Sequence, residues 1–381
     1  MEMTEKFDLV VAGGGIAGVS AALTAAERGL KVALVEKQCV LGGLATSGLI
    51  NWYEPLCNKK GKQLIFSMSE RLLKYAYGLG GGKLDTDWME KGEGQGWYAT
   101  FFNHHLLAMG LTRLLDNAGV RLMFDSLVTG VDMSGGRIDA VTVETVEGAK
   151  KYGCKAVIDA TGTARIFTLA GLKVRKGVNY LSYVVHNTIV GSDGKPVYRK
   201  WDTTGSGMTG IGHPEGMPYF DGTSADDVNR YIIAAHGMYM DRVDRGEKGS
   251  AVTEIPHMPQ FRMIAAIEGE TTITPADKFR PIGTPVGVFG YFFKPGEWFE
   301  LPYGSLYNGG VGNLYAAGRI ISAEGEAWDA VRVIPVAAQT GEVAAEAAAL
   351  ILRDGRTNGE IDVGDLRAVL ADKKYRLSYD E

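Results

Sequence analysis

The pattern of apolar and polar positions near the start of the chain predicts a strand, a tight turn, a helix and a second strand. Residues 7–12 form a short apolar run, and a glycine-rich turn follows at 13–18. Small and apolar residues dominate 16–28, Gly29 is suited to cap a helix, and another apolar run ends at Glu36. Short apolar runs bounded by glycine are typical of buried strands, whereas a longer small-residue segment suits a helix packed on a sheet. This order is the beginning of an α/β fold.

The glycine-rich turn carries the strongest chemical signal in the chain. It reads Gly-x-Gly-x-x-Gly, in which Gly13 permits the tight turn, Gly15 lets the backbone approach a pyrophosphate, and Gly18 lets helix and strand pack closely. The helix start offers unpaired N–H groups to phosphates, and Glu36 can accept both hydroxyls of a ribose. The pattern therefore predicts a dinucleotide site. The alternative is a glycine-rich turn in some other α/β fold.

The middle of the chain continues the α/β pattern. Asn103 is placed to cap a helix whose leucines recur at helical spacing up to Gly119. A strand is predicted at 120–124. Turn signals then predict a β-ribbon of short strands over 126–154, followed by a separate buried strand at 156–160.

A different pattern occupies residues from about 175 to 300. Proline, glycine and aromatic residues become more frequent there, a strand-like run covers 181–190, and one helix is predicted at 224–239. The remaining predicted elements are a possible helix near 62–77, a strand at 314–317, a small-residue helix at 335–352, and one short helix in the charged tail after Gly355.

These elements predict an α/β protein with two domains, because 381 residues exceed what one hydrophobic core usually supports. The first is a Rossmann-like nucleotide-binding domain built from a parallel sheet, a β-ribbon and helices. The second is an inserted β-rich α+β substrate domain. The predicted segments are 1–50, 103–174 and 301–355 for the discontinuous nucleotide-binding domain, 51–102 and 175–300 for the substrate or cap domain, and 356–381 for a C-terminal tail.

Composition and charge exclude several classes of function. With 45% apolar and 22% charged residues the chain is typical of soluble globular proteins, and its net charge of −5 offers no attraction to nucleic acid or to anionic membranes. No apolar run approaches the roughly 20 residues that span a bilayer, and the polar opening residues leave no room for a signal peptide. The three scattered cysteines fit a reducing compartment. We therefore expect a cytoplasmic protein, and residue spacing predicts no metal site.

A second Gly-x-Gly-x-x-Gly sequence, at 205–210, is not expected to bind a nucleotide. The residues before it, 201–204, do not have the pattern of a buried strand, and Gly212 and Pro214 interrupt any helix after it. The chain also has no redox CxxC pair. A built-in NAD(P)H domain of the disulfide-reductase type is therefore not expected.

Further segments in a fixed order carry a family resemblance. They are 42–46, 158–162, 301–306, 313–323, 332–335 and 339–341. Together with the opening turn and Glu36, they resemble FAD-dependent oxidoreductases of the glutathione-reductase-like superfamily. The branch they resemble most is the one related to the flavoprotein subunits of fumarate reductase and succinate dehydrogenase. The resemblance extends from residue 7 to about 352.

The resemblance implies a non-covalently bound FAD and assigns residues to it. Val128 would present backbone atoms to the adenine, while Val333 and Ile334, at the start of the final helix, would meet the pyrimidine edge of the flavin. Such a helix start can stabilise negative charge on the reduced flavin, although 335–352 can equally be an alanine-rich packing helix. The full set of implied cofactor-binding residues is Gly13, Gly15, Ile16, Ala17, Gly18, Glu36, Lys37, Gly42, Gly43, Leu44, Ala45, Thr46, Val128, Ala160, Thr161, Gly162, Gly318, Arg319, Arg332, Val333 and Ile334.

The residues that act on the substrate are less clearly marked. Relatives carry Pro-x-x-Arg followed by an arginine pair. Here Arg262 is retained, but Ala265 and Ala266 replace the pair. An acid-then-His element is also replaced by the aromatic segment 289–293. These departures predict a less charged, more aromatic pocket, in which Arg262 is the candidate catalytic residue as a substrate clamp or charge stabiliser. A structural ion-pair role is the alternative.

Histidines and one tyrosine are weaker candidates. His186, His213 and His257 fall in the predicted substrate domain and could act as acid or base. His104 and His105 stand at a helix start and are expected to be structural. Tyr303 could donate a proton or simply pack.

Two functions are consistent with these features. The first is an enzyme that transfers a hydride between a small organic substrate and bound FAD, with electrons passing to oxygen or to a separate carrier. The second is a flavoprotein electron-transfer subunit that works with a protein partner. The sequence predicts no nucleic-acid or membrane partner and does not indicate an oligomeric state.

Overall fold

The structure is a computed structural model that describes residues 2–80, 98–190, 196–206, 210–247 and 252–380. Its helices are α1 Ile16–Glu27, α2 Ser67–Gly78, α3 His104–Asn117, α4 Arg165–Leu169, α5 Ala225–Asp244, α6 Gly325–Val331, α7 Ile334–Asp354 and α8 Val363–Asp372. Its strands are β1 Met3–Ala12, β2 Val32–Val35, β3 Trp52–Tyr53, β4 Thr100–Phe101, β5 Arg121–Met123, β6 Leu127–Ser134, β7 Arg137–Thr145, β8 Gly148–Asp159, β9 Val174–Lys176, β10 Ser182–Val190, β11 Pro196–Gly205, β12 Val252–Glu254, β13 Ala265–Ile267, β14 Pro285–Gly290, β15 Trp298–Pro302 and β16 Leu314–Ala316.

A mixed sheet forms the centre of the molecule. Strands β5, β2, β1 and β8 lie side by side and run parallel, and β16 adds in parallel to β8. Strands β7 and β6 extend antiparallel from β8 as the expected ribbon. The register aligns Ala12 with both Val35 and Asp159, and Asp159 with Ala316. The carboxyl ends of four strands therefore meet at one edge, where ligands bind in open α/β sheets.

Helices α1 and α7 pack closely beneath this edge. A Cβ atom on Gly341 would lie 2.2 Å from the Ala17 carbonyl oxygen. The Ser20 hydroxyl donates to the Ala338 carbonyl (2.6 Å), and the Thr340 hydroxyl accepts from the Gly318 N–H (2.9 Å). Small residues on both helices permit this approach, which brings the start of α7 toward the glycine-rich turn before α1.

The rest of the structure is rich in short antiparallel pairings. Strands β11, β10 and β12 form one sheet, and β9–β13, β14–β15 and β3–β4 form separate pairs. Helix α5 lies along this region, where its Tyr239 hydroxyl donates to Asp202 on β11 (3.0 Å). The α/β fold class is confirmed, with antiparallel strands added to a Rossmann-like sheet. The exact domain boundaries stay a prediction.

Several element boundaries differ from the sequence-based expectation. The segments 150–154 and 156–160 are not separate strands, because β8 is continuous. It pairs with β7 over its first half and with β16 at its end. Helix α2 begins at Ser67, not near 62, and α5 continues to Asp244, five residues past the predicted end. Asn103 caps α3 as expected, accepting from the Leu106 N–H at 3.1 Å.

The residues before the second glycine motif form part of an edge strand and not of a fully buried one. Residues 201–204 belong to the edge strand β11, and at these four positions half-buried and buried residues alternate. Residues 207–209 lie outside the described part of the chain. The backbone at 210–212 forms a bend and a turn, and no helix follows directly. A strand is therefore present, but the helix start that a nucleotide motif requires is missing from the described residues after it.

No helix in the described segments combines the length and apolarity needed to cross a membrane.

Candidate cofactor and substrate site

The glycine-rich turn is held by close backbone contacts at the strand edge. Gly13 has φ +99°, and a Cβ atom there would lie 2.5 Å from the Ala160 carbonyl oxygen. A Cβ on Gly18 would lie 1.8 Å from the Gly13 carbonyl oxygen. Both positions exclude any side chain. The first turn of α1 is thereby packed directly against β1 and β8.

Gly15 differs from these two glycines. Its φ of −64° and ψ of 176° are open to any residue, and a Cβ atom there would meet no atom within 4 Å. A glycine is therefore not required by the fold at this position. The empty space in front of it, at the N-terminus of α1, is where a phosphate group would approach the backbone.

Glu36, at the end of β2, faces the same space. Its carboxylate accepts from the backbone N–H groups of Gly14 (2.6 Å) and Gln38 (2.9 Å), which fixes its orientation. Burial raises the pKa of this carboxyl above its usual range, and the two backbone hydrogen bonds oppose the shift.

The loop after β2 forms the opposite wall. Gly42 and Gly43 both have positive φ (103° and 57°), and the Gly42 N–H donates to the Gly14 carbonyl at 2.8 Å. The Thr46 hydroxyl donates to the Leu41 carbonyl at 2.6 Å, so this side chain closes its own loop. The loop thus lies directly against the glycine-rich turn.

Arg319 occupies a half-buried position beside the end of β8. Its guanidinium donates to the carbonyls of Gly162 (3.0 Å) and Phe261 (2.7 Å). Among the ion pairs within the described residues, none involves Arg319. Burial and the charge of Arg332 lower its pKa to about 10, so the side chain is a cation at neutral pH. A half-buried cation whose side-chain hydrogen bonds within the described residues go to carbonyls favours an anion in the adjoining space.

Three adjoining cavities follow this edge of the sheet. The wide cavity, of about 550 Å³, lies between Glu36, Val128 and Arg165. The narrow cavity, of about 190 Å³, runs between the glycine-rich turn and Arg319 and shares Gly13, Glu36, Lys37 and Thr161 with the wide one. The aromatic cavity, of about 380 Å³, is lined by Trp52, Phe101, Trp201, Phe292 and Phe293 and by the charged residues Glu54, Lys59, Arg262 and Arg332.

Most of the cofactor residues implied by the sequence line the narrow cavity. Val128 lines the wide cavity, but its carbonyl already accepts from the Arg165 Nε at 2.5 Å. Gly18, Thr46 and Val333 line none of the three cavities. Gly18 acts through packing, Thr46 through its loop hydrogen bond, and Val333 as the residue that precedes the first turn of α7.

Two predicted residues connect the narrow and aromatic cavities at the start of α7. Ile334 and Arg332 line both, together with Leu44 and Ala45. The Arg332 side chain is fixed by Asp329 (Nε to Oδ1, 2.6 Å) and lies over the Phe292 ring, 5.3 Å from its centroid. The Tyr291 hydroxyl donates to the other oxygen of Asp329 at 3.0 Å.

Glu54 lies at this junction and was missed by sequence reasoning. Its carboxylate accepts from the Ile334 N–H at 3.3 Å, and its side chain is buried in the wall of the aromatic cavity. Burial raises its pKa to about 7, and the charge of Arg332 opposes the shift. A carboxyl that can gain or lose a proton near neutral pH is suited to acid–base work. The only sequence signal was an acid beside aromatic residues.

Arg262, the predicted substrate clamp, lines the aromatic cavity. Its Nη2 donates to the Ser182 hydroxyl at 3.2 Å, and its backbone N–H donates to Asn179 at 2.8 Å. Burial and Arg332 lower its pKa to about 10, which leaves it charged. Ala265 and Ala266 lie in the buried strand β13. The aromatic character expected of the cavity is present, but four charged side chains remain in it.

The weaker candidates lie outside the aromatic cavity. His213 accepts from the Leu181 N–H (2.9 Å) and contacts the Met217 carbonyl (3.0 Å), so its ring connects two segments of the backbone. His257 is exposed, and His186 contacts the Leu49 carbonyl. The Tyr303 hydroxyl donates to the Asn358 carbonyl and burial raises its pKa, which indicates packing.

The raised pKa of Glu54 predicts a measurable pH dependence of stability. A carboxyl whose pKa rises from 4.5 to about 7 on folding stabilises the folded chain while protonated, and this contribution is lost as pH rises between those values. Relative to the wild type, Glu54→Gln should therefore gain about 3 kcal/mol in free energy of unfolding between pH 4 and pH 8. Urea denaturation of the cofactor-free proteins across that range measures this. A difference that stays constant with pH would contradict it.

The comparisons with solved structures find distant similarity over nearly the whole chain. A geranylgeranyl bacteriochlorophyll reductase-like protein from Thermoplasma acidophilum is 14% identical, with a TM-score of 0.46, over 97% of this chain and 84% of that one. Pseudomonas aeruginosa PqsL, solved with 2-aminobenzoylacetate, is 13% identical, with a TM-score of 0.46, over 97% and 92%. Similarity this distant assigns no substrate.

A short segment is much closer to curated relatives. Over 43 residues the chain is 56% identical to the glycerol-3-phosphate dehydrogenase of Mycobacterium leprae (strain TN). The same values hold for glycerol-3-phosphate dehydrogenase 2 of Mycobacterium tuberculosis (strain H37Rv). The match spans 11% of this chain and 7% of those relatives.

The family comparison covers far more of the chain. Residues 8–221 and 282–370 match the family described as FAD dependent oxidoreductase. These ranges include the glycine-rich turn, the end of β8, Arg319 and the start of α7, and they leave out Arg262. The chain therefore belongs to the FAD-dependent oxidoreductase family.

Proposed function

We propose that this enzyme transfers a hydride between a small organic substrate in the aromatic cavity and FAD held along the narrow and wide cavities. The observation that carries the proposal is the junction between the cavities. Leu44, Ala45, Arg332 and Ile334 line both the narrow and the aromatic cavity, so ligands in the two spaces would be in contact. When bound, FAD supplies the centre that accepts or donates the hydride.

The residues present fit this cofactor. The open space before Gly15 lies at a helix N-terminus, and the half-buried Arg319 cation lines the same cavity, so a pyrophosphate would meet both. Glu36 lines both the narrow and the wide cavity, as a residue holding the adenosine ribose would. Val128 lines the wide cavity and would touch the adenine by packing, since its carbonyl accepts a hydrogen bond from Arg165.

Glu54 is proposed to handle the proton that accompanies hydride transfer. Its carboxyl contacts the first turn of α7 and lines the substrate space, so one group can serve both ligands. With a pKa of about 7, it can take a proton from a substrate hydroxyl or amine, or return one.

The cavity also indicates a class of substrate. Five aromatic side chains favour a planar or apolar body, and Arg262 favours an anionic group at one end. We further propose the branch related to the fumarate reductase and succinate dehydrogenase flavoproteins, supported by the matching order of segments. Ala265 and Ala266 make a dicarboxylate substrate less favoured. Oxygen or a separate carrier is the proposed acceptor, and no observation favours an electron-transfer subunit.

An anaerobic substrate screen tests the proposal. The FAD-loaded protein is mixed with aromatic and aliphatic carboxylates that carry an oxidisable hydroxyl or amine, and flavin absorbance is followed. The proposal predicts bleaching by at least one aromatic acid and recovery in air or with a soluble acceptor. Bleaching only through a partner protein, with no response to any small molecule, would contradict it.

Replacement of Arg262 should weaken substrate binding selectively. In Arg262→Met the KM for an anionic substrate should rise about 10- to 100-fold, because the charged hydrogen bond to the anion is lost. FAD content should stay at the wild-type level, and Arg262→Lys should recover part of the loss. Steady-state kinetics measure this, with Arg353→Met, an exposed arginine at the end of α7, as the control. An unchanged KM in Arg262→Met would remove the clamp role.

A further inference from the structure

Three histidines and a glutamate converge away from the cavities. His104 and His105 form the start of α3, His186 lies on β10, and Glu254 lies opposite it on β12. His104 and His186 are only 2% and 1% exposed, whereas His105 and Glu254 reach the surface. None of the four lines the wide, narrow or aromatic cavity.

The ligand-type atoms of His104, His186 and Glu254 lie close together, and His105 adds a contact to the Glu254 carboxylate. The Glu254 carboxylate lies 2.7 Å from His104 Nε2, 3.2 Å from His105 Nε2 and 3.6 Å from His186 Nδ1. One atom each from His104, His186 and Glu254 falls within 4.8 Å of the others. Ligand atoms on a tetrahedral zinc ion are about 3.3 Å apart. The distances from the Glu254 carboxylate to His105 and His186 are close to that separation. The shorter distance to His104 is a hydrogen bond, which would have to lengthen around a metal ion.

The protonation of His186 points in the same direction. Its Nε2 lies 3.0 Å from the Leu49 carbonyl, which can only accept, so Nε2 carries the proton. In the neutral ring Nδ1 is then a lone pair directed toward the Glu254 carboxylate, and two acceptors facing each other favour a cation between them. A histidine whose second nitrogen donates to a backbone carbonyl is the usual arrangement of a metal ligand.

We propose that His104, His186 and Glu254, with His105 on the open side, bind a divalent transition-metal ion of the Zn²⁺ type. Three imidazole nitrogens and one carboxylate form a donor set suited to tetrahedral zinc. The Nδ1 of His104 has no hydrogen-bond partner among the described residues, so it is open to the proton that Nε2 would give up to bind the ion. The hydrogen bond from Nε2 to the Glu254 carboxylate would then be replaced by bonds from both groups to the ion.

The position of the ion would make it a structural clamp. It would join the start of α3 to β10 and β12. Through His186 it would also hold Leu49, whose φ is +59°. Leu49 directly follows Gly48, whose carbonyl accepts from Gln260 in the wall of the aromatic cavity (2.6 Å). Spacing along the sequence could not indicate this site, because its ligands come from three distant segments.

Metal titration of the purified, FAD-loaded protein tests the site. After chelator treatment and dialysis, Zn²⁺ uptake is measured by calorimetry and elemental analysis, and Co²⁺ is added separately as a spectroscopic probe. We expect a single Zn²⁺ per chain at micromolar affinity, an intense visible Co²⁺ spectrum typical of tetrahedral sites, and a higher melting temperature. FAD content should not change.

Variants distinguish this cluster from adventitious binding. Glu254→Gln and His105→Asn should weaken Zn²⁺ binding at least tenfold, while His236→Asn, an exposed histidine on α5, should bind as the wild type does. Each variant is checked for FAD content and far-ultraviolet circular dichroism. Absence of stoichiometric uptake by the wild type, or equal uptake by well-folded Glu254→Gln and His105→Asn, would overturn the proposal. Neither result would bear on FAD binding or the substrate screen.

Discussion

Gly15→Val should fold as the wild type does and bind FAD at least about 100-fold more weakly, a loss of about 3 kcal/mol. The backbone at residue 15 is in a conformation that valine adopts readily, and its Cβ would meet no protein atom within 4 Å. The added methyl groups would occupy the space at the start of α1 where a pyrophosphate must approach the N–H groups. The substitution should therefore lower the affinity for FAD and leave the stability of the fold unchanged.

Gly15→Val is informative because replacement of the neighbouring glycines would not separate loss of binding from loss of the fold. Gly13 and Gly18 make contacts that exclude a side chain, so their replacement would disturb β1 and α1 before any ligand binds. Flavin fluorescence titration of the apoprotein measures the affinity, and thermal unfolding checks the fold. Gly283→Val, at an exposed loop glycine with open space around its Cβ, is the matched control. Wild-type affinity in Gly15→Val would show that the dinucleotide lies elsewhere.

Glu54→Gln should lower the rate of flavin reduction by a substrate about 10²- to 10⁴-fold, the usual contribution of one general acid or base. The amide keeps the hydrogen bond from the Ile334 N–H, but it cannot exchange a proton. The wild-type rate should also change across the pKa of about 7, and that limb of the pH profile should disappear in the variant.

Stopped-flow reduction under anaerobic conditions measures this effect. Glu300→Gln provides the control, because Glu300 is also buried but accepts from the N–H groups of Ile282 (2.7 Å) and Tyr379 (3.0 Å), outside the aromatic cavity. FAD affinity should be unchanged in both variants. If Glu54→Gln retained the wild-type rate and pH profile, another residue would have to carry the proton.

The sequence was most informative where a backbone constraint leaves a mark on residue type. The turn at Gly13 and Gly18 demands glycine, and the apolar runs beside it demand strands, so the cofactor edge of the sheet was predictable. The continuity of β8 was not predictable from the sequence. Its pairing partner changes from β7 to β16 along the strand, and the residue pattern shows only which positions are apolar. Such exchanges are decided by tertiary pairing.

The substrate side was predictable only in part. Arg262 was identified by resemblance, whereas Glu54 lies in a segment whose glycines and aromatics gave no regular pattern. What makes Glu54 a candidate is its burial beside the start of α7, some 280 residues later in the chain. The cluster of His104, His186 and Glu254 could not be predicted from the sequence for the same reason, since only the fold brings together residues from separate segments.

The most direct test of the account is the flavin content of the purified protein. The arrangement of Gly15, Glu36 and Arg319 around one continuous cavity predicts a yellow protein with a single non-covalent FAD per chain. It also predicts that the flavin is released by acid or denaturant and that FAD is taken up again by the apoprotein at micromolar concentration. A colourless preparation that takes up no added FAD at those concentrations would contradict it.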